Sequence, residues 1–265
     1  MGLFHYTDGN ALLSILKNKK LWLTHIKYMN DSSEYTHGKN ILFEQIQHLI
    51  KEKTNFHCNI AGVNSVNEHA HIFVGSFCSS AIDNLSQWRG YGSYNGCYAI
   101  EFNAKISKHK KKCIYNISEQ VDAATKHASR ITKISEKYFK KLRTDQPYPL
   151  DHPIQQELIS TNLEAHVEIA RFKHKGFEEE KEHRIILIAV DDYEGTSNKI
   201  LFRNRNGLII PFVEYEIPLN SFKRIWIGPM KEQELAEHSL NMFIDSLEWN
   251  GKRPEVKCSK IPYRE

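Results

Sequence analysis

Several features are missing from this 265-residue chain. No apolar run approaches the ~18–20 residues that cross a bilayer, so no membrane partner is expected. The N-terminus lacks the basic and apolar regions of a signal peptide, and the expected location is the cytoplasm. Cysteine is sparse: Cys58, Cys78, Cys97, Cys113 and Cys258. Their odd number, wide spacing and lack of any Cys-x-x-Cys argue for reduced, mostly buried thiols, not a disulfide framework or a zinc site. The 14 histidines are scattered. No His-x-x-x-His falls on a plausible helix beside a third ligand, so no metal is expected. A phosphate-loop motif is absent, and so is the Asp-x-n-Glu-x-Lys pattern before a strand that a metal-dependent nuclease calls for. No Gly/Ser-rich linker or internal repeat divides the chain, which implies a single domain over 1–265.

What is present is ordinary for a globular chain with one sizeable core: 40% apolar residues, 26% charged residues and a net charge of +4. That charge is compatible with nucleic acid without demanding it. The densest basic run, Lys108 to Lys112, reads first as a solvated loop, with a phosphate-contacting patch as the sharper alternative.

The chain is organised around its first block. Leu3-Phe4-His5-Tyr6-Thr7 reads as a strand, Asp8 as the cap of a helix, and Leu21–Thr24 as a second strand before the polar turn Asn30-Asp31-Ser32-Ser33-Glu34. Period-2 alternation puts His5 and Thr7 on one face and Tyr6 on the other. Helices are expected over 37–56, 118–143, 154–170 and 231–249. Strands are expected at 72–78, 97–102, 113–117, 185–190, 199–203, 208–217, 222–227 and 256–261. The strands at 97–102 and 113–117 are expected to pair as a hairpin. The pattern implies an α+β fold: a twisted, largely antiparallel mixed sheet with packed helices and a helical insertion at about 118–170.

Three stretches can carry chemistry. Trp88-Arg89-Gly90-Tyr91-Gly92-Ser93-Tyr94-Asn95-Gly96, with three glycines and three aromatics in nine residues, reads as a bend in which Trp88 and Tyr91 offer ring faces and Arg89 a fork for phosphate or carboxylate. Burial of those rings as core is the plain alternative. Glu180, Glu182 and Arg184 alternate before an apolar strand and so share a face, where one carboxylate can be held ionised by the arginine. The plain alternative is a structural Glu-Arg pair at an exposed strand entrance. Asn30, Asp31 and Glu34 fit a helix cap with room for a part in a site.

The first block resembles the opening βα unit of the histidine-clade ADP-ribosyltransferases. The whole chain resembles a bacterial family of unknown function found near phage-defence and abortive-infection genes. That second resemblance rests on His5-Tyr6-Thr7, Asn30-Asp31-x-x-Glu34, Trp88-Arg89-x-Tyr91-Gly92, Glu180-x-Glu182-x-Arg184, Ile227-Gly228-Pro229 and Ile261-Pro262-Tyr263-Arg264. The transferase resemblance implies NAD as substrate, His5 as a catalytic residue on a ribose hydroxyl with Tyr6, Thr7 and Asn30 beside it, and Glu182 as the catalytic glutamate with Glu180 second. It further implies Trp88, Arg89, Tyr91 and Arg184 against the dinucleotide, a nucleic-acid or protein acceptor, and a neutralising antitoxin partner. Two other readings stand beside it: a nuclease, and a non-catalytic binding or sensor module. His5, the Trp88–Tyr91 bend and Glu182 are each a polar or aromatic exception at the edge of an apolar strand, and they are expected to meet in one cleft.

Overall fold

The computed structural model describes residues 2–29, 33–51, 70–79, 83–91, 97–141, 151–190, 199–249 and 251–262. Ten strands form one mixed sheet: β1 Leu3–Thr7, β2 Lys20–His25, β3 Ala70–Cys78, β4 Tyr98–Phe102, β5 Lys110–Lys112, β6 Glu182–Val190, β7 Leu201–Arg205, β8 Leu208–Glu216, β9 Phe222–Ile227 and β10 Glu255–Cys258. All pairings are antiparallel except β10 on β9. The fold class expected from the sequence is the one observed.

Strand β3 is the hinge of the sheet. One edge pairs with β6 along its whole length, from Ala70 opposite Val190 to Cys78 opposite Glu182. The other edge is shared: β2 takes Phe73 and Val74, and β1 takes Cys78. Two wings leave from that edge, β1-β4-β9-β10 and β2-β8-β7. Gly75 lies where they part. A Cβ there would sit 2.4 Å from Leu23 Cδ2, so Gly75→Ala must displace a fully buried leucine. The expected cost is about 1–3 kcal/mol, read by denaturant titration.

Helices cover both faces. Helix α1 (Gly9–Asn18) is capped by Asp8, whose Oδ1 accepts from Ala11 N at 2.9 Å. With helix α6 (Gln233–Asp245) it buries Leu12, Ile15, Leu16, Leu240 and Ile244 against Phe73, Phe77 and Ile185. On the opposite face, α2 (Ser33–Lys51), α4 (Ile117–Lys141) and α5 (Pro153–Ile169) pack Ile41, Leu42, Ile46, Ala128, Ile131 and Ile169 against Ile72, Val74 and Ile186. The segment expected as a helical insertion, about 118–170, supplies α4 and α5 of this layer. Helix α3 (Leu85–Tyr91) closes a smaller cluster on the same face.

Four local expectations fail. The 97–102 strand does not pair with 113–117. Its partners are β1 and β9, and Ile114 makes only an isolated bridge to Phe172. The basic run is not wholly a loop, because Lys110–Lys112 forms edge strand β5 on β6 and leaves Lys111 and Lys112 in solvent, a charged edge of the kind that resists further pairing. The bend expected over 88–96 begins as helix instead, with Trp88 to Tyr91 in the last turns of Leu85–Tyr91, and residues 92–96 lie outside the described residues. Glu180 ends a 3-10 helix (Lys175–Glu180) and is separated from β6 by Lys181 at φ 45°, so it does not alternate with Glu182 on one strand.

Candidate active site

Register decides which predicted residues can meet. Cys78 lies opposite Glu182, and Ser76 opposite Arg184. Phe4 lies opposite Cys78, which places Phe4, and by alternation Tyr6, on the Glu182 face. His5 and Thr7 therefore point to the other face. There the His5 ring lies 5.8 Å from Phe77, and its Nδ1 donates to the Ser76 carbonyl at 3.1 Å. Burial lowers the His5 pKa, so the ring is neutral near pH 7. His5 and Glu182 do not share a cleft: the sheet lies between them.

On the Glu182 face five ionisable side chains converge. Glu182 Oε1 accepts from Arg184 Nε at 2.8 Å, and its Oε2 accepts from Arg184 Nη2 at 3.1 Å and Lys173 Nζ at 2.6 Å. Arg184 also donates from Nη2 to Glu34 Oε2 and from Nη1 to the Ala170 carbonyl, both at 2.7 Å. Lys173 donates to Glu180 Oε2 at 2.9 Å and lies 3.8 Å from Glu34 Oε1. Glu182 is 3% exposed and Arg184 4%, whereas the Glu180 side chain keeps 20% of its surface in solvent.

Each member has a local cause. Glu182 opens β6, where its N–H donates to the Tyr115 hydroxyl at 2.7 Å and its carbonyl accepts from Cys113 N at 2.9 Å. Lys173 follows the fully buried Phe172, and its carbonyl accepts from the Gln120 amide at 3.0 Å. Glu34 sits in the first turn of α2, beside the positive end of the helix dipole.

The two buried carboxylates respond differently. Burial alone pushes Glu182 up, but the charge and hydrogen bonds of Arg184, then those of Lys173, outweigh it and hold the pKa at about 2. For Glu34 burial dominates, and its pKa rises despite Arg184 and Lys173. Lys173 stays cationic because Glu182, Glu180 and Glu34 outweigh its own burial. Two carboxylates pushed apart around shared cations is an arrangement that acid–base sites use. Two buried polar atoms beside Arg184, Ser76 Oγ and Glu34 Oε1, have no hydrogen-bond partner.

Trp88 forms a wall of this region, not an open platform. It is 4% exposed, its ring meets Tyr6 edge-on at 4.8 Å, and its Nε1 donates to Asp83 Oδ1 at 3.0 Å. Asp83 also accepts from Ser259 Oγ and Lys260 N, tying the chain after β10 to α3. Gly228 backs the indole: a Cβ there would lie 2.8 Å from Trp88 Cε3 and 2.8 Å from the Cys97 carbonyl. Gly228→Ala is expected to cost about 1–3 kcal/mol and to shift the tryptophan emission, both measurable in one melting experiment. Arg89 is exposed, next in the chain to the buried Trp88. Asn30, Asp31 and the Tyr91 side chain lie outside the described residues.

Sequence reading missed Lys173 and Ser76. Lys173 sits among Arg171, Lys175 and two aromatics with nothing in the pattern to mark it, and Ser76 looks like one small residue in an apolar strand. Among the described residues no group of three or more His, Cys, Asp or Glu is placed to hold a metal ion. A cleft of about 600 Å³ lies on the opposite, His5 face between α1 and α6, lined by Asp8, Asn10, Leu13, Tyr98, Ser239 and Phe243.

The family evidence falls on this same region. Residues 87–185 match a protein family described as "Protein of unknown function (DUF2971)". The matched span begins beside Trp88 and ends just after Arg184, so it holds Lys173, Glu180 and Glu182 but not Tyr6, Glu34 or Ser76. No curated protein and no solved structure matches the chain significantly. No helix among the described residues is long and apolar enough to cross a membrane.

Proposed function

We propose that the chain is an NAD-dependent ADP-ribosyltransferase-like enzyme, with its reaction centre on the Glu182 face and Glu180 as the reacting carboxylate. The observation that supports this is the partly exposed Glu180 carboxylate held by Lys173 at the solvent end of an otherwise buried ion cluster. Transfer breaks the bond between ribose C1′ and nicotinamide, and positive charge grows on the sugar as it breaks. An ionised carboxylate beside the sugar stabilises that charge, as in glycoside chemistry. Glu182 and Arg184 are the support: Arg184 holds Glu182, Glu182 holds Lys173, and Lys173 holds Glu180. His5 has no part in this centre. An acceptor on nucleic acid or protein, a role as a toxin or effector of antiviral defence, and a neutralising partner belong to the same proposal.

The test is incubation with NAD labelled in its adenylate half, together with total cellular nucleic acid and protein. Label transfer with release of nicotinamide is expected. Cleavage of nucleic acid without NAD consumption would assign the chain to the nucleases, and no change in either would leave a binding module.

A further inference from the structure

Strand β7 ends the sheet, and among the described residues it pairs only with β8. One row of its backbone N–H and C=O groups therefore has no strand partner. The β7–β8 hairpin turns through Asn206 and Gly207, both at positive φ (54° and 83°), as a two-residue turn of matching twist requires. Its end is unusually apolar: Phe202 is 66% exposed, Ile209 64% and Leu208 55%. Leu208 and Ile209 belong to β8; on β7 itself the exposed apolar side chain is Phe202, between Leu201 and Arg203, and an uncovered edge that keeps such a side chain offers another strand both backbone groups and an apolar contact.

The register sorts its side chains. Phe202 lies opposite Pro211 on one face, while Arg203 and Arg205 lie opposite Ile210 and Leu208 on the other. Arg203 donates from Nη2 to Thr24 Oγ1 at 2.8 Å and lies over the rings of Trp22 and Phe212, and its buried Nε has no partner. Among the described residues the acidic groups on that face are Glu214, bonded to Lys20 at 2.6 Å, and Glu216, opposite Lys20. Among the same residues neither pairs with the two arginines, which are charged neighbours of each other.

We propose that the β7 edge is the docking strand for an extended, acidic segment of a partner protein. Such a segment pairs along β7 through its backbone. Its alternate carboxylates fall over Arg203 and Arg205, which stand one two-residue repeat apart, as do alternate side chains of any strand. Its intervening apolar side chains cover Phe202. A second copy of the chain fits less well, because antiparallel self-pairing centred on Arg203 sets that charge opposite itself. A nucleic acid fits less well too, since the free β7 edge offers N–H and C=O groups at strand spacing, which a peptide backbone matches and a sugar-phosphate chain does not. The proposal is independent of the reaction chemistry proposed above.

The test uses the full chain and a fluorescent, end-capped octapeptide of alternating aspartate and valine, followed by anisotropy. The comparators are the alternating lysine–valine peptide and a short single-stranded RNA, with light scattering to report mass. Saturable binding of the aspartate peptide alone is expected. It should weaken about tenfold or more in Arg205→Glu and in Phe202→Ser, both exposed sites whose melting temperatures should not move. Equal binding of the lysine peptide, or no saturable binding of the aspartate peptide, overturns it. RNA binding that is lost in Arg205→Glu, or a dimer that Phe202→Ser dissolves, reassigns the edge to another occupant.

Discussion

Glu182→Gln is expected to lower folding stability by roughly 3–5 kcal/mol, the usual consequence of removing one partner from a buried ion pair. For a chain of this size that is a fall in melting temperature on the order of 10 °C. The carboxylate accepts from Arg184 twice and from Lys173 once, and it is almost wholly withdrawn from water. Glutamine keeps the shape but leaves two buried cations facing one fewer anion. Had Glu182 stood at an exposed strand end, the loss would be about 0–1 kcal/mol. Because β6 begins at Glu182 and β5 covers its outer edge, that alternative does not apply. Thermal melts of the purified variant check it, and a melting temperature equal to that of the parent would contradict it.

Acid should destabilise the protein through the same residue. The Glu182 pKa is about 2 in the folded chain against a reference of 4.5. A depressed carboxylate contributes stability that is complete above its unfolded pKa and is lost as pH falls through its folded one. The window is thus about pH 4.5 down to 2, and the loss about 3 kcal/mol. Glu34 acts in the opposite sense. Its pKa is raised, so its contribution favours the folded state at low pH and is lost as pH rises. Glu34→Gln should therefore leave the acid limb of the stability curve in place, whereas Glu182→Gln should flatten it. Denaturant titrations at a series of pH values distinguish the two.

Much of the fold was legible because it rests on local patterns. The Asp8 cap, strand β9 and the helices facing Ile72 and Ile186 follow from side-chain types at fixed spacing. The pairing of β4 was not legible: adjacency in sequence suggested a hairpin, and only the long-range register on β1 and β9 settles it. The site shows the same division. Glu182 and Arg184 were visible as an alternating pair, and Glu34 as a residue with room for a role. The alternation of His5 and Tyr6 was visible as well, but which of them faces Glu182 depends on the single pairing of Phe4 with Cys78, 74 positions away. Lys173 owes its position to the bridge between Ile114 and Phe172 and to the Gln120 amide, neither of which leaves a pattern in the chain.

The central claim is that Glu180 reacts while Glu182 supports. The most direct measurement is nicotinamide release from NAD by the parent chain, Glu180→Gln and Glu182→Gln, each taken beside its melting temperature. Glu180→Gln should lose about 10²–10³ in rate, the scale of one electrostatic stabiliser, with a much smaller fall in melting temperature than Glu182→Gln, because Glu180 is partly in solvent and touches only Lys173 of the two cations. Glu182→Gln should lose rate and melting temperature together. Full turnover by Glu180→Gln, or no nicotinamide release by the parent chain, would contradict the account.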